Sequence, residues 1–261
     1  MNRMSIVFAW LAAALAGLAA AAGLTGRVYR DVPAMVEQAQ AADLATLFVA
    51  VPLVAIGLTR RAYLVVAAGV AYLAYTYAIF SFEIVLNSLA AVYIAILALS
   101  TWALVLGLYQ PAAEGGPSLP RRSTAAFLAL VALLFAGLWL SEIASAMTSG
   151  TLPPGVAALE VPTSAVYALD LGFVLPVFVL TAAGLARGMR RAFPAAFACL
   201  VFLLLMALSI LPMFAFEAAR GQLSDPVAPV IFVAIAVVAG LLLGFGGMPR
   251  PASVGRSVAA A

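Results

Sequence analysis

The 261-residue sequence predicts an all-α protein, a polytopic transmembrane helical bundle of about eight spans. Three observations carry this prediction: a shortage of charge, a series of long apolar runs, and arginines that recur between the runs. Hydrophobic residues make up 66% of the chain and charged residues only 9%. A soluble domain needs about a quarter of its residues charged. Lipid is therefore the main solvent, and a backbone in lipid must satisfy its own hydrogen bonds within helices.

Each apolar run is long enough to cross ~30 Å of hydrocarbon as a helix. The runs lie at 5–23, 42–59, 62–80, 84–109, 124–141, 164–186, 192–214 and 227–247. The first run also fits a cleaved signal peptide, which would leave seven spans, but it is long for one and we expect it to be retained. We divide the single membrane domain into a first half (1–110), a cytoplasmic linker loop (111–123) and a second half (124–261).

The 13 basic residues are all arginine, and they predict the orientation. Arg60-Arg61 and the segment 187–191 divide neighbouring runs, and both are read as tight turns at a membrane surface. With both termini cytoplasmic, ten arginines lie inside and three outside, which is a positive-inside bias. Together with abundant alanine, the exclusive use of arginine is typical of a GC-rich bacterial genome. We therefore expect a multi-pass protein of the bacterial cytoplasmic (inner) membrane.

The acidic residues show the opposite bias. In this topology nine of the ten acids lie in outer loops or outer helix ends. One interpretation is a functional acidic vestibule. The other is that acids are tolerated outside and kept away from anionic inner-leaflet lipid.

The two halves share a layout that indicates a parallel 4+4 internal repeat. Asp43-Leu44 and Asp170-Leu171 lie 127 residues apart, and each pair is followed by a proline, Pro52 or Pro176. Phe-x-Phe-Glu then occurs twice, ending at Glu83 and Glu217. Such a repeat would bring the four acids to related positions around one axis along the membrane normal.

Asp170 is the leading candidate for a binding residue. An ionisable group inside a span costs at least ~2.5 kcal/mol near the centre unless it is paired or hydrated. Pro176 cannot donate to the Gly172 carbonyl, so a carboxylate and a freed carbonyl would lie close together. The structural alternative is a protonated Asp170 that is hydrogen-bonded to Tyr167 or to a neighbouring helix. We expect Asp170 to face a hydrated, outward-open cavity.

Other polar groups are predicted near the outer surface. Glu83 and Asn87, four residues apart, are expected on one face at the outer end of the fourth helix. Aromatic residues precede them, and these favour the membrane interface or, alternatively, the wall of a solute path. They are Tyr72, Tyr75, Tyr77, Phe80 and Phe82. The predicted substrate- or ion-binding set is Asp43, Glu83, Asn87, Asp170 and Glu217; the metal ligands, if any, are unassigned.

Residues that are missing exclude several activities. The chain has no histidine and no lysine, so neither a histidine-ligated haem nor a retinal or pyridoxal Schiff base can form. One cysteine, Cys199, gives no disulfide framework. We expect no cofactor and no nucleic acid partner, but lipid, a small solute or cation, and homo- or hetero-oligomers remain as partners.

The sequence favours a transporter-like protein with an outward-facing acidic cavity for a cation or small solute, with proton coupling as an option. The alternative is a non-catalytic scaffold or subunit of a larger complex. A carboxylate-based intramembrane enzyme comes third, with an Asp43–Asp170 dyad as its one candidate centre.

Overall fold

The computed structural model describes residues 2–25, 28–29, 32–108, 118–221 and 226–246. Within these ranges the chain is helical, and eight helices are long and apolar enough to cross a membrane. Spans 1 to 8 are Arg3–Leu24, Pro33–Thr59, Tyr63–Phe82, Ala90–Gly107, Arg121–Ser149, Ala165–Ala186, Ala192–Ala219 and Val227–Phe245. The predicted helical bundle is confirmed. Part of the predicted linker (111–117), Asp31, Glu114, Asp225 and four arginines (Arg27, Arg30, Arg250, Arg256) lie outside the described residues.

The helix ends differ from the predicted runs at several places. Span 2 begins nine residues before its apolar run, span 5 extends to Ser149, and span 7 extends to Ala219. Polar residues at these ends ended the apolar runs without ending the helices, since Glu and Gln are good helix formers. Span 4 begins at Ala90 rather than at residue 84.

Span 3 lies at the centre of the bundle. It packs against spans 1, 2, 4, 6 and 7. Its small residues allow the close approach: a Cβ on Gly69 would lie 2.5 Å from Val54 of span 2. The contacts between the two halves are made chiefly by span 7, which packs against spans 2 and 3, and by the start of span 6 against span 3.

The links between spans separate into two ends of the bundle. Val32, just before span 2, and Met35, in its first turn, share an apolar cluster with Val156 and Val161, between spans 5 and 6, and with Ile84 after span 3. These links therefore lie at one end, the acidic end, as the predicted topology requires. The opposite, arginine end is formed by the turns at 60–62 and 187–191 and by the starts of spans 1 and 5.

Two turns at the arginine end have the same backbone hydrogen bonds. The amide of Ala62 donates to the Gly57 carbonyl (2.8 Å), and the amide of Met189 donates to the Gly184 carbonyl (2.9 Å). The left-handed position of the first turn is Arg61 (φ 55°), and that of the second is Gly188 (φ 72°). Gly57 and Gly184, like Arg61 and Gly188, lie 127 residues apart, the same offset as the two aspartates.

Spans 2 and 6 are each interrupted by one π-helical turn, Thr46–Ala50 and Asp170–Val174. Each turn ends two residues before a proline, Pro52 or Pro176. Proline has no amide hydrogen and its ring crowds the preceding turn, which is why the helix widens there. The two π-turns are 124 residues apart, so Asp170 begins its turn whereas Asp43 lies three residues before its own. Superposition of the halves stays a prediction, with a local three-residue shift.

Candidate functional site

Asp170 is held between three spans by two hydrogen bonds. Its Oδ1 accepts from the Tyr75 hydroxyl of span 3 (2.9 Å), and its Oδ2 accepts from the Trp139 indole nitrogen of span 5 (2.8 Å). The indole can only donate, so Oδ2 must be an acceptor. Asp170 is half-buried and is directed toward these helices. Its partners therefore lie on neighbouring helices, as one form of the structural alternative predicted, and Tyr167 is not among them.

The π-turn positions this carboxylate. Asp170 is the first residue of the turn, and its own carbonyl accepts from the Leu175 amide in the wider π register. A π-turn inserts an extra residue in the helix and re-aims the side chains at its start, a feature that recurs at functional sites. Asp170 is thus placed by a local irregularity and not by the regular helical pattern.

Asp43 is fully buried and has one strong partner. Its Oδ2 accepts from the Tyr29 hydroxyl at 2.5 Å. Burial, aided by the neighbouring Asp43 carboxylate, raises the pKa of Tyr29 well above its usual value, so Tyr29 keeps its proton and acts as donor. Gly23 of span 1 leaves space for the Asp43–Tyr29 pair, because a Cβ at this position would lie 1.9 Å from Asp43 Oδ2.

The tyrosines of span 3 are buried and do not form an interfacial belt. Tyr72 donates to Ser209 of span 7 (3.1 Å), and Tyr77 donates to the Ala16 carbonyl of span 1 (3.1 Å). Tyr72 also donates to the Ala42 carbonyl of span 2 (3.4 Å). Together with Tyr75, these hydroxyl groups therefore link span 3 to four neighbouring spans. The interfacial interpretation was wrong for these residues and for Phe80, and only Phe82, 73% exposed, fits it.

Glu83 lies after the end of span 3, not on the fourth helix where it was predicted. Its Oε1 accepts from the Ser164 hydroxyl (2.8 Å) and from the Ala165 amide at the start of span 6. Its Oε2 is buried and has no hydrogen-bond partner among the described residues. Burial raises the pKa of Glu83, an effect that these hydrogen bonds partly oppose.

Asn87 caps span 4. Its Oδ1 accepts from the Leu89 amide (2.8 Å), and its amide group donates to the Val85 carbonyl (3.3 Å). Glu83 and Asn87 therefore occupy a non-helical link and share no helix face, because the chain leaves the helix after Phe82. Asparagine followed by serine favours a turn, which would have predicted this role.

Glu217 lies near the end of span 7, half-buried. At this end of span 7 the sequence did not predict an ion pair, which Arg220 forms with Glu37, buried in span 2.

Glu142 connects spans 5 and 6. Its carboxylate accepts a hydrogen bond from the Tyr167 hydroxyl (2.5 Å).

Two cavities lie at the acidic end, and Glu83 lines both. The larger is a cleft of about 250 Å³ between the end of span 3 and the start of span 6. The smaller, beside Gln38 and Phe80, has about 10 Å³, room for one water molecule. Neither is lined by Asp43, Asn87, Asp170 or Glu217. The predicted set thus occupies separate places, and these cavities do not unite its acids.

Among the described residues, no three aspartate, glutamate or cysteine side chains lie close enough together to hold a metal ion. Asp43 and Asp170 are bonded to different side chains, and no hydrogen bond joins them. The aspartyl dyad therefore does not form in this arrangement. The residues missed by sequence reasoning, Tyr29 and Trp139, are far from their partners along the chain, and no local pattern identifies them.

These observations define the class of the protein as a multi-pass α-helical integral membrane protein. No protein-family model matches the chain, and neither a curated protein nor a solved structure matches it. Its function must therefore be argued from its own residues.

Proposed function

We propose that the protein is a transport-type membrane protein that moves a cation or small solute, with Asp43 and Asp170 as carriers of the ion or of a coupled proton. One observation carries the proposal: Asp170 begins a π-turn and is held by donors from two other spans. Ionisable groups within membrane helices mark ion pathways and proton relays, and interrupted helices provide their sites in transporters.

The two aspartates have the features expected of carriers. Each lies on a helix with a π-turn and a proline, and each is bonded to a hydroxyl or indole that can move away without breaking a helix. Oxygen ligands of this kind favour hard cations over soft metals. The two cavities at the acidic end are not lined by these aspartates. We place the arginine end on the cytoplasmic side of a bacterial inner membrane.

The scaffold alternative needs an unoccupied face of small residues. The most continuous stripe of small residues, on span 1, is used inside the bundle: Ala9, Ala12, Ala16 and Ala20 are buried. Span 5 exposes large aliphatic side chains in its middle, with Leu130 and Leu133 at 65% and 70% exposure, and small residues toward its end, at Gly137, Ser141 and Ala144. The buried stripe of span 1 thus offers no face to a partner, whereas the exposed small residues of span 5 are the surface that a scaffold would use.

The test is a current measurement on proteoliposomes adsorbed to a solid-supported membrane. Concentration jumps of Na⁺, K⁺, Mg²⁺, Ca²⁺ and H⁺ are applied to wild type, Asp170→Asn and the control Glu160→Gln, which changes an exposed acid. We expect a transient current with at least one cation in wild type and in the control, and its loss in Asp170→Asn. Wild type without any current, or an Asp170→Asn protein with full current, would contradict the proposal.

A further inference from the structure

The cleft beside Glu83 is a second site that the two aspartates do not explain. Its floor is Glu83, which is 8% exposed, and its walls come from the end of span 3 and from residues 161–168. Ser164 and the Ala165 amide use only the Oε1 atom. The Oε2 atom is buried without a partner among the described residues, and this is costly for a carboxylate.

The walls limit the ligand that the cleft can take. Most of the lining is apolar, with Phe82, Val161, Pro162 and Ala168, and the hydroxyl of Thr163 adds one donor or acceptor. The volume of about 250 Å³ is slightly below the range of drug-sized pockets, so the ligand must be small. None of the lining side chains is basic, so no residue in the cleft neutralises Glu83.

We propose that this cleft binds a small primary ammonium group, with Glu83 as its counter-ion and the apolar wall against a short carbon chain. An ammonium group supplies three donors and the positive charge that the Glu83 carboxylate lacks in this lining. Phe82, at the exposed rim, adds a ring that attracts cations. The inference does not depend on transport: it concerns binding at the acidic end, away from Asp43 and Asp170.

Two sources carry this chemistry, a free amine and the headgroup of an ethanolamine phospholipid. The first arm of the test measures thermal unfolding of the detergent-purified protein with ethanolamine and with 1-propanol, its neutral analogue of similar size. The second arm measures unfolding in nanodiscs made of phosphatidylcholine alone or mixed with phosphatidylethanolamine. A rise only in the first arm indicates a free amine, and a rise with the lipid indicates the headgroup.

The variants assign the effect to the cleft. Glu83→Gln keeps an oxygen for Ser164 and Ala165 but removes the charge, and we expect binding at least about tenfold weaker. Glu160→Gln removes an exposed acid at the same end and should leave binding unchanged. Ala168→Leu fills the cleft without changing Glu83, so it should also abolish binding even if Glu83→Gln folds poorly.

The proposal is overturned if neither amine source stabilises the protein, or if 1-propanol stabilises it as much as ethanolamine. It is also overturned if Glu83→Gln or Ala168→Leu binds as tightly as wild type. Because the readout is equilibrium binding, a loss of the currents in Asp170→Asn with ammonium binding intact would separate this site from the transport site.

Discussion

At the scale of single residues, buried acids in this protein are stabilised by donors that come from elsewhere in the chain. Asp43 relies on Tyr29, Asp170 on Tyr75 and Trp139, and Glu83 on Ser164. The sequence indicated that Asp170 was unusual, because an acid in an apolar run is costly. It could not indicate the partners, since a hydrogen bond over 95 residues leaves no periodic trace.

Gly23 gives a direct test of the Asp43 pair. Gly23→Ala places a Cβ 1.9 Å from Asp43 Oδ2 and 2.5 Å from the Tyr29 hydroxyl, so one of them must move. We expect a loss of about 1–3 kcal/mol in the free energy of unfolding, measured by thermal or denaturant unfolding in detergent. Gly137→Ala is the matched control, because nothing lies within 4 Å of its new Cβ. Equal effects of the two substitutions would show that the close packing at Gly23 is unimportant.

Glu83 predicts a pH dependence of stability. Its pKa is raised above 4.5 in the folded protein, so between 4.5 and the raised value the folded state binds more protons than the unfolded state. Stability should therefore fall as pH rises through this window, and Glu83→Gln should remove the fall. The titratable groups that interact with Glu83 are Tyr75 and Tyr167, and phenols keep their protons from pH 4 to 8. Melting temperatures from pH 4 to 8 test this, and parallel curves for wild type and Glu83→Gln would refute it.

At the scale of elements, the sequence predicted the helices, but it predicted their irregularities, the π-turns and the late start of span 4, only in part. Apolar runs and arginine turns predicted all eight spans, because lipid admits few alternatives to a helix. Pro52 and Pro176 indicated disturbed helices, but not that the disturbance is a π-turn. Glu83 was assigned to the fourth helix, whose apolar run was started at residue 84, because Ile84, Val85 and Leu86 are apolar and the turn residues Asn87 and Ser88 come only after them.

The proline of span 6 is expected to maintain the π-turn. Pro176→Ala restores an amide donor and relieves the crowding, so the segment 170–176 should return toward α-helical bonding and exchange its amide hydrogens more slowly. The same change should weaken the currents that depend on Asp170. Pro212→Ala in span 7 is the control, because Pro212 lies within a helix without a π-turn. Hydrogen-exchange mass spectrometry decides, and unchanged exchange at 170–176 would exclude this role of Pro176.

At the scale of the whole molecule, the two halves are joined at the acidic end by two polar contacts. Glu37 of span 2 pairs with Arg220 after span 7, and Glu83 after span 3 is bonded to the start of span 6. Each contact connects the end of one central helix with the start of an interrupted helix from the other half. In a transporter, opening this end requires both contacts to separate.

Removing either partner of the Glu37–Arg220 ion pair should lower stability, but by different amounts. Glu37 is 4% exposed, whereas the Arg220 side chain is 51% exposed. Arg220→Gln should therefore cost about 1–3 kcal/mol by leaving a buried carboxylate unpaired, and Glu37→Gln should cost less. The double variant should resemble Glu37→Gln alone. Denaturant unfolding of the three variants measures these losses. If Arg220→Gln lowers the free energy of unfolding less than Glu37→Gln does, solvent replaces the arginine.

The orientation is tested by reporter fusions. Fusions after Arg61, Arg122 and Arg191 should read cytoplasmic, because these exposed arginines lie at the arginine end. A fusion after Glu160 should read on the opposite side. One clear periplasmic result among the first three would contradict the proposed orientation. The packing of the helices would be unaffected by that result.

The short arginine turns have a consequence for synthesis in the cell. They join spans 2 and 3, and spans 6 and 7, so closely that each pair must enter the membrane together as a hairpin. Asp43 and Asp170 then arrive on the first helix of a hairpin after their partners Tyr29, Tyr75 and Trp139 have already been made. Glu37 and Glu83, by contrast, wait for Arg220 and Ser164. The two aspartates within the spans thus find hydrogen-bond donors as they are inserted, and the acids at the ends of the bundle can wait in water.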